Sequence, residues 1–310
     1  MVLLKNWYRF LRLNNILIMI LTFYLIRGLV LLPYAERFDV DPVFDSWQFA
    51  LLILVTALTA SAGNIINDIY DIAIDQINKP DKVFIPDLVT TQTAWRIYYG
   101  LNVVAMVLIF VVYASIDWFL IWMYPFGFFL TWAMLWLYSS RYKKMVLKGN
   151  IIIGLMVSFV PWSICYPELV DSLRGAIPYS PIFLFTGIVY ILFAFVSTIL
   201  REIIKDIEDQ EGDAQFGGRT LPVVFGIPLS KRIAQFVGSL LILMVAFSVY
   251  LLILKELYIS AVFGAITVIF PTLWLLFILE KSTTKNAFHK LSQMSKFVML
   301  AGLFFLIVLY

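Results

Sequence analysis

The sequence predicts an all-α fold, a polytopic membrane bundle of nine transmembrane helices built as two parallel four-helix halves plus a ninth helix. Three observations predict it. First, of 310 residues 62% are hydrophobic and only 14% charged, with a mean hydropathy of +0.91, well above the roughly 45–50% apolar share of soluble domains. Second, nine apolar runs approach the ~20 residues that cross a bilayer, near 15–34, 46–66, 98–116, 118–138, 150–167, 179–200, 233–254, 257–279 and 291–310. Third, an acidic segment that ends the second run recurs at the end of the sixth. Residues 1–310 are therefore expected to form one integral membrane domain, with half one at about 1–138, half two at about 139–280 and the ninth helix at about 291–310.

The first run follows Lys5, Arg9 and Arg12, as the apolar part of a signal peptide would, but Ile16 to Leu32 is too long and lacks a small-residue cleavage site. It reads as a span. Arg27 within it is costly in lipid and is expected to face the bundle or snorkel to an interface. The connections then alternate in charge. Those after spans two, four, six and eight hold Lys79, Lys82 and Arg96; Arg141, Lys143, Lys144 and Lys148; Arg201, Lys205, Arg219, Lys231 and Arg232; and Lys281, Lys285, Lys290 and Lys296. With the N-terminal segment, 19 of the 23 Lys and Arg residues fall on one side, against Arg37, Arg174 and Lys255 on the other. By the positive-inside rule the N-terminus and the long polar loops are cytoplasmic in the cell membrane and the C-terminus is on the opposite side.

Cys165 is the only cysteine and His289 the only histidine, which excludes an internal disulfide, a CxxC site and a histidine-based zinc centre. His289 beside Lys290 reads as a surface residue. Chemistry here must use carboxylates, lysines, arginines and amides.

Eight of the twenty acidic residues lie in two windows, I-I-N-D-I-Y-D-I-A-I-D from Ile65 to Asp75 and I-I-K-D-I-E-D-Q-E-G-D from Ile203 to Asp213. Aligned without a gap they match Asp68 to Asp206, Asp71 to Asp209 and Asp75 to Asp213, an internal repeat. Residues three, four and seven apart share a helical face, so each window presents a stripe of carboxylates. Like charges at this spacing repel unless a cation neutralises them. Two facing stripes suit hard, oxygen-seeking cations, and magnesium typically takes one or two carboxylates plus substrate phosphates. A single window would read more simply as a solvated acidic helix end; the gapless repeat favours a metal and diphosphate site. Lys82, Lys143, Lys144, Lys205 and Arg219 are candidates to stabilise a departing diphosphate, and Asn64 and Asn67 to orient a phosphate or a metal-bound water. Asn64 reads equally well as a helix-to-helix hydrogen bond. The 52 aromatic residues suit interfacial belts and lipid-facing surface, with some available inside the bundle to shield a cation.

N-D-x-x-D-x-x-x-D from Asn67 to Asp75 with N-K-P-D-K from Asn78 to Lys82 resembles the first signature of the UbiA superfamily of intramembrane prenyltransferases. K-D-I-E-D-Q-E-G-D from Lys205 with G-x-R-T-L-P-V-V-x-G from Gly217 to Gly226 resembles the second. Arg12 and Asn15, Tyr138-Ser139 with Lys143-Lys144, and Gly149-Asn150 extend the resemblance over nearly the whole chain. It implies that Asn67, Asp71, Asp75, Asp209 and Asp213 hold magnesium and through it a prenyl diphosphate, that Asp68, Asp206, Tyr138 and Asn15 support them, and that a lipid acceptor takes the prenyl group. The second block resembles most the branch that adds a second geranylgeranyl ether to a glycerol phosphate, with geranylgeranylglyceryl phosphate as acceptor. Aromatic acceptors of quinone, haem or chlorophyll synthesis are the alternative. The sequence departs from the pattern where V-F-I-P follows Lys82 in place of an Arg-Pro pair, and a lysine lacks the arginine's bidentate fork. Membrane lipids are the expected surroundings, and no nucleic-acid partner is expected. A transporter would place its acids near the bilayer midplane, whereas these lie at helix ends. A transferase of nucleotide-activated phosphoalcohols would carry D-G-x-x-A-R, which is absent, and a non-catalytic assembly partner would not require both motifs intact.

Overall fold

The computed structural model describes residues 2–78, 83–114, 116, 120–175 and 181–309, and among them there are helices and no strands. A short α1 (Val2–Phe10) precedes α2 (Leu13–Phe38), α3 (Ser46–Asn78), α4 (Thr91–Ala114), α5 (Leu120–Ser140), α6 (Lys148–Leu173), α7 (Pro181–Gln215), α8 (Leu221–Leu254), α9 (Tyr258–Lys281) and α10 (Lys285–Leu309). Among the described residues, α2, α3, α4 and α6 to α10 each hold a stretch long and apolar enough by composition to cross a bilayer. Helix α5 is 21 residues long, apolar along its length and without a charged residue. It packs beside α4 and α3 as the remaining helix of the expected nine.

The chain is a multi-pass helical membrane protein. Its helices run past the bounds read from hydropathy, because hydropathy marks where side chains turn polar and not where backbone hydrogen bonding stops. The second apolar run ends near residue 66, yet α3 continues through every carboxylate of the first motif to Asn78. The sixth ends near residue 200, yet α7 continues through the second motif to Gln215. Helix α1, too short to read as a span, folds its Phe10 against Ala62, Ile65 and Ile66 of α3 and Ile85 of the following loop.

Proline is tolerated inside these helices, as bundle neighbours and hydroxyl side chains satisfy the freed backbone groups; Pro161 and Pro167 both lie within α6. In α8 the backbone breaks at Gly226, φ 82° and ψ 164°, a conformation essentially reserved for glycine. Helices α2 and α9 each contain a π-helical turn, at Arg27–Leu31 and Ala265–Ile269, and Arg27 spreads its guanidinium 4.4 Å from the Phe49 ring centre, a cation–π contact inside the bundle.

Three apolar clusters hold the bundle. The largest joins α2, α3, α4, α5 and α6 and includes Phe183 and Tyr190 of α7 with Leu303 and Leu306 of α10; a second joins α7, α8, α9 and α10; the third seats α1 and the α3–α4 loop. Helices α7 and α10 contribute to the first two, so the ninth helix seals the bundle. In the first cluster the rings of Phe159, Trp162, Tyr166, Tyr124 and Tyr113 follow one another at centroid distances of 4.1 to 5.9 Å, stacked except between Tyr166 and Tyr124, which tilt by 57°. These rings are among those the sequence reading allowed inside the bundle, while others, such as Trp122, Phe126, Phe236, Phe247 and Trp274, are exposed on the outer surface.

Candidate active site

Motif one lies on one face of α3. Asn67 and Asp71, one turn apart, are joined by Asn67 Nδ2 donating to Asp71 Oδ2 at 2.7 Å. Arg12, in the left-handed region at the joint between α1 and α2, sends Nη2 to Asp68 Oδ1 at 2.5 Å and Nη1 to Asn64 Oδ1 at 3.3 Å. Asn64 also donates to the Leu11 carbonyl at 3.4 Å, tying α3 to the turn between α1 and α2. Lys143, in the single turn Tyr142–Lys144 between α5 and α6, pairs with Asp71 and reaches Asn67 Oδ1 at 3.4 Å. Both members of the pair are largely buried, with side chains 11% and 14% exposed. Burial pulls the Lys143 ammonium below the usual lysine value, against the opposing pull of Asp71. The repulsion within the stripe is thus offset by basic groups from two other elements.

Motif two is built in the same way on α7. Asn150, near the start of α6, donates to Asp206 Oδ2 at 2.8 Å, so the first aspartate of each motif is tied to the first turns of another helix or its lead-in. Lys205 pairs at 3.4 Å with the buried Glu202. The chain after α7 doubles back, with the Gly218 N–H donating to the Asp213 carbonyl at 2.7 Å. The Arg219 N–H then donates to the Lys144 carbonyl at 2.8 Å, pairing the loop after motif two with the loop that carries Lys143.

The two motifs meet. Asn78, 8% exposed at the end of α3, donates to the Asp209 carbonyl at 3.1 Å and accepts the Gly212 N–H at 3.1 Å. Lys285, opening α10, reaches the Asn78 carbonyl at 3.4 Å. Asp213 lies close enough to Asp71 and Lys205 to interact electrostatically, and half-buried Tyr138 stands in the field of Lys205, Glu202, Asp206 and Asp71. The lead-in to α2, the end of α3, the α5–α6 turn, the end of α7 and the start of α10 therefore share one end of the bundle, as the alternation of basic loops required.

Of the residues singled out in the sequence, Asn64, Asn67, Asp68, Asp71, Asp206, Asp213, Lys143, Lys205 and Tyr138 gather here. Asp209 joins them on α7, and Asp75 lies one turn beyond Asp71 on the same face of α3. Lys144 and Arg219 enter through backbone groups. Asn15 is exposed in the first turn of α2, its N–H bonded to the Arg12 carbonyl at 2.8 Å. Lys82 lies outside the described residues. His289, read as a surface residue, is half-exposed but places Nδ1 2.7 Å from Oε1 of the buried Glu208. The bridging roles of Asn78 and Asn150 carried no signal beyond their place in motif-like segments, because their partners lie 131 and 56 residues away.

Among the described residues no three carboxylate, imidazole or thiol groups converge as a ready cation site. The oxygen donors of Asn67, Asp71, Asp75, Asp209 and Asp213, on two helices clipped together at Asn78, are nonetheless the chemistry that hard cations take. They fit magnesium shared with a phosphate better than a cage made of protein alone.

Residues 16–306 match the UbiA prenyltransferase family. A digeranylgeranylglyceryl phosphate synthase from Pyrococcus horikoshii is 34% identical over 197 residues, 63% of this chain and 63% of that protein, so the match spans about three fifths of the relative's length. Two solved structures share the fold. One, from work on the biosynthesis of digeranylgeranylglyceryl phosphate synthase in membranes, has a TM-score of 0.63 at 23% identity, covering 99% of this chain and 98% of the other. The second is a UbiA homolog from Archaeoglobus fulgidus bound to GPP and Mg2+, with a TM-score of 0.61 at 16% identity, covering 97% and 99%. The match along nearly the whole sequence, carried by two acidic helix faces brought to one end of a membrane bundle, makes this chain a member of the UbiA prenyltransferase family.

Proposed function

We propose that the chain is a magnesium-dependent membrane prenyltransferase that moves a geranylgeranyl group from its diphosphate to geranylgeranylglyceryl phosphate. One observation carries the reading: the two aspartate motifs, 138 residues apart in sequence, lie on helices joined at Asn78, with Asp71 and Asp213 in electrostatic reach of each other. The names of its relatives, a digeranylgeranylglyceryl phosphate synthase and a homolog holding GPP with Mg2+, support the acceptor and the cofactor.

In this reading Asn67, Asp71 and Asp75 on α3 and Asp209 and Asp213 on α7 hold the cation. Bound there, magnesium neutralises the diphosphate and supports its departure as a leaving group. Lys143, fixed by Asp71 and Asn67, and Lys205 supply positive charge where negative charge develops as the allylic C–O bond breaks. Asp68 and Asp206 serve the scaffold, since Arg12 and Asn150 occupy them. The apolar bundle keeps water from the allylic cation, for which it would compete with the acceptor. We place the basic loops and the site on the cytoplasmic side, and we read the chain as one domain of two parallel halves, on the strength of the charge asymmetry and the gapless motif repeat.

Labelled geranylgeranyl diphosphate offered with a panel of acceptors tests the branch. Product with geranylgeranylglyceryl phosphate is expected. Product with an aromatic acceptor and none with the glyceryl phosphate would overturn the choice.

A further inference from the structure

We infer that Asn78 is a positioning residue that sets the gap between the two carboxylate faces; the inference rests on the diphosphate-site reading above. In a regular helix the Gly212 N–H donates to residue 208 and the Asp209 carbonyl accepts from residue 213, two successive hydrogen bonds of the backbone ladder. Asn78 engages both, its Nδ2 donating to Asp209 O and its Oδ1 accepting from Gly212 N, each at 3.1 Å. A primary amide meets both demands with one planar group. The contact falls on α7 between Asp209 and Asp213, and on α3 one turn beyond Asp75, about 4.5 Å along the axis. The side chain thus joins the two helices within a turn of the carboxylates of both motifs.

Two further observations show a built contact. Asn78 is buried, 8% exposed, where an amide lacking partners would be costly. Gly212 permits the approach, since a Cβ there would lie 2.5 Å from Asn78 Oδ1, 2.6 Å from Cγ and 2.6 Å from Nδ2. Among the described residues the three atoms nearest that position all belong to this one amide. Lys285 Nζ, 3.4 Å from the Asn78 carbonyl, adds the start of α10 to the same joint.

Asn78 touches no reacting atom in this reading, so its effect runs through the spacing of Asp71 and Asp75 against Asp209 and Asp213. Loss of a group that orients metal-binding side chains typically weakens metal affinity about 10- to 100-fold. The test uses Asn78→Ala, Gly212→Ala and the double variant in the full-length protein. In thermal unfolding in detergent, Gly212→Ala alone is expected to lower stability and to add nothing in the Asn78→Ala background. Additive losses would overturn the contact. In magnesium titrations of transfer, Asn78→Ala is expected to raise the half-saturating magnesium concentration at least about tenfold, with KM for the prenyl diphosphate rising alongside. A variant of lowered stability with an unchanged magnesium midpoint would show a merely structural role and overturn the inference. A wild-type protein with no magnesium-dependent transfer would instead overturn the functional reading and the positioning role with it. The stability coupling between positions 78 and 212 would still decide the contact by itself.

Discussion

At the scale of single residues the aspartates divide by what already holds them. Asp68 and Asp206 are tied to Arg12 and Asn150; Asp71 shares Lys143 with Asn67. Asp71→Ala and Asp209→Ala are expected to cut transfer about 10³-fold or more while leaving elution in detergent unchanged, and normal turnover by either would contradict their assignment. Lys143→Ala is expected to lower kcat/KM about 100-fold, with the loss read in steady-state kinetics against prenyl diphosphate. It also strips a buried carboxylate of its partner, which generally costs about 3–5 kcal/mol when the pair is deeply buried. Its thermal stability must therefore be measured beside its rate. The aspartates were legible because their spacing repeats. Which of them bind a basic group was not legible, since Arg12 and Lys143 reach across 56 and 72 residues and sequence spacing says nothing about such pairs.

At the scale of helices, what sequence revealed was where the apolar runs lie, and what it hid was how far the helices continue. Carboxylates at three- and four-residue spacing looked like helix ends under repulsion, but α3 and α7 carry them within regular backbone because Asn67, Lys143, Arg12, Asn150 and Asn78 meet them or the backbone between them. Helix α1 escaped notice because nine residues make no span. Its nearest signal was the apolar Trp7 and Phe10 among basic neighbours, now found in edge contact with each other and packed by Phe84. Gly226 explains the glycine that closes the second block: the α8 backbone turns there with positive φ. The α6–α7 joint yields its own test. Asn150→Ala removes the hydrogen-bond donor to Asp206 and leaves a carboxylate without that partner, so a loss of about 1–3 kcal/mol is expected, measured as earlier thermal unfolding. Unchanged stability would show that Asp206 does not depend on α6.

At the scale of the whole molecule, alternating basic loops foretold the gathering of elements at one end, and hydrogen bonds from Arg12, Lys143, Asn150, Arg219 and Lys285 bear it out. The orientation in the membrane has a direct check. Cys165 is buried and should stay unlabelled, while Thr283→Cys in the exposed α9–α10 connection and Gly175→Cys beyond α6 should react with an impermeant thiol reagent from opposite sides. In intact cells labelling of position 175 alone is expected, and labelling of position 283 alone would invert the topology.

The central claim is that the two aspartate helices make one magnesium and diphosphate site. It is tested most directly by following transfer from labelled geranylgeranyl diphosphate to geranylgeranylglyceryl phosphate while magnesium is removed with chelator and then restored. The account predicts product with magnesium, none in chelator, full recovery on restoration, and no rescue of the about 10³-fold or greater loss at any magnesium concentration when Asp71 or Asp209 is alanine. Undiminished turnover in chelator would contradict it.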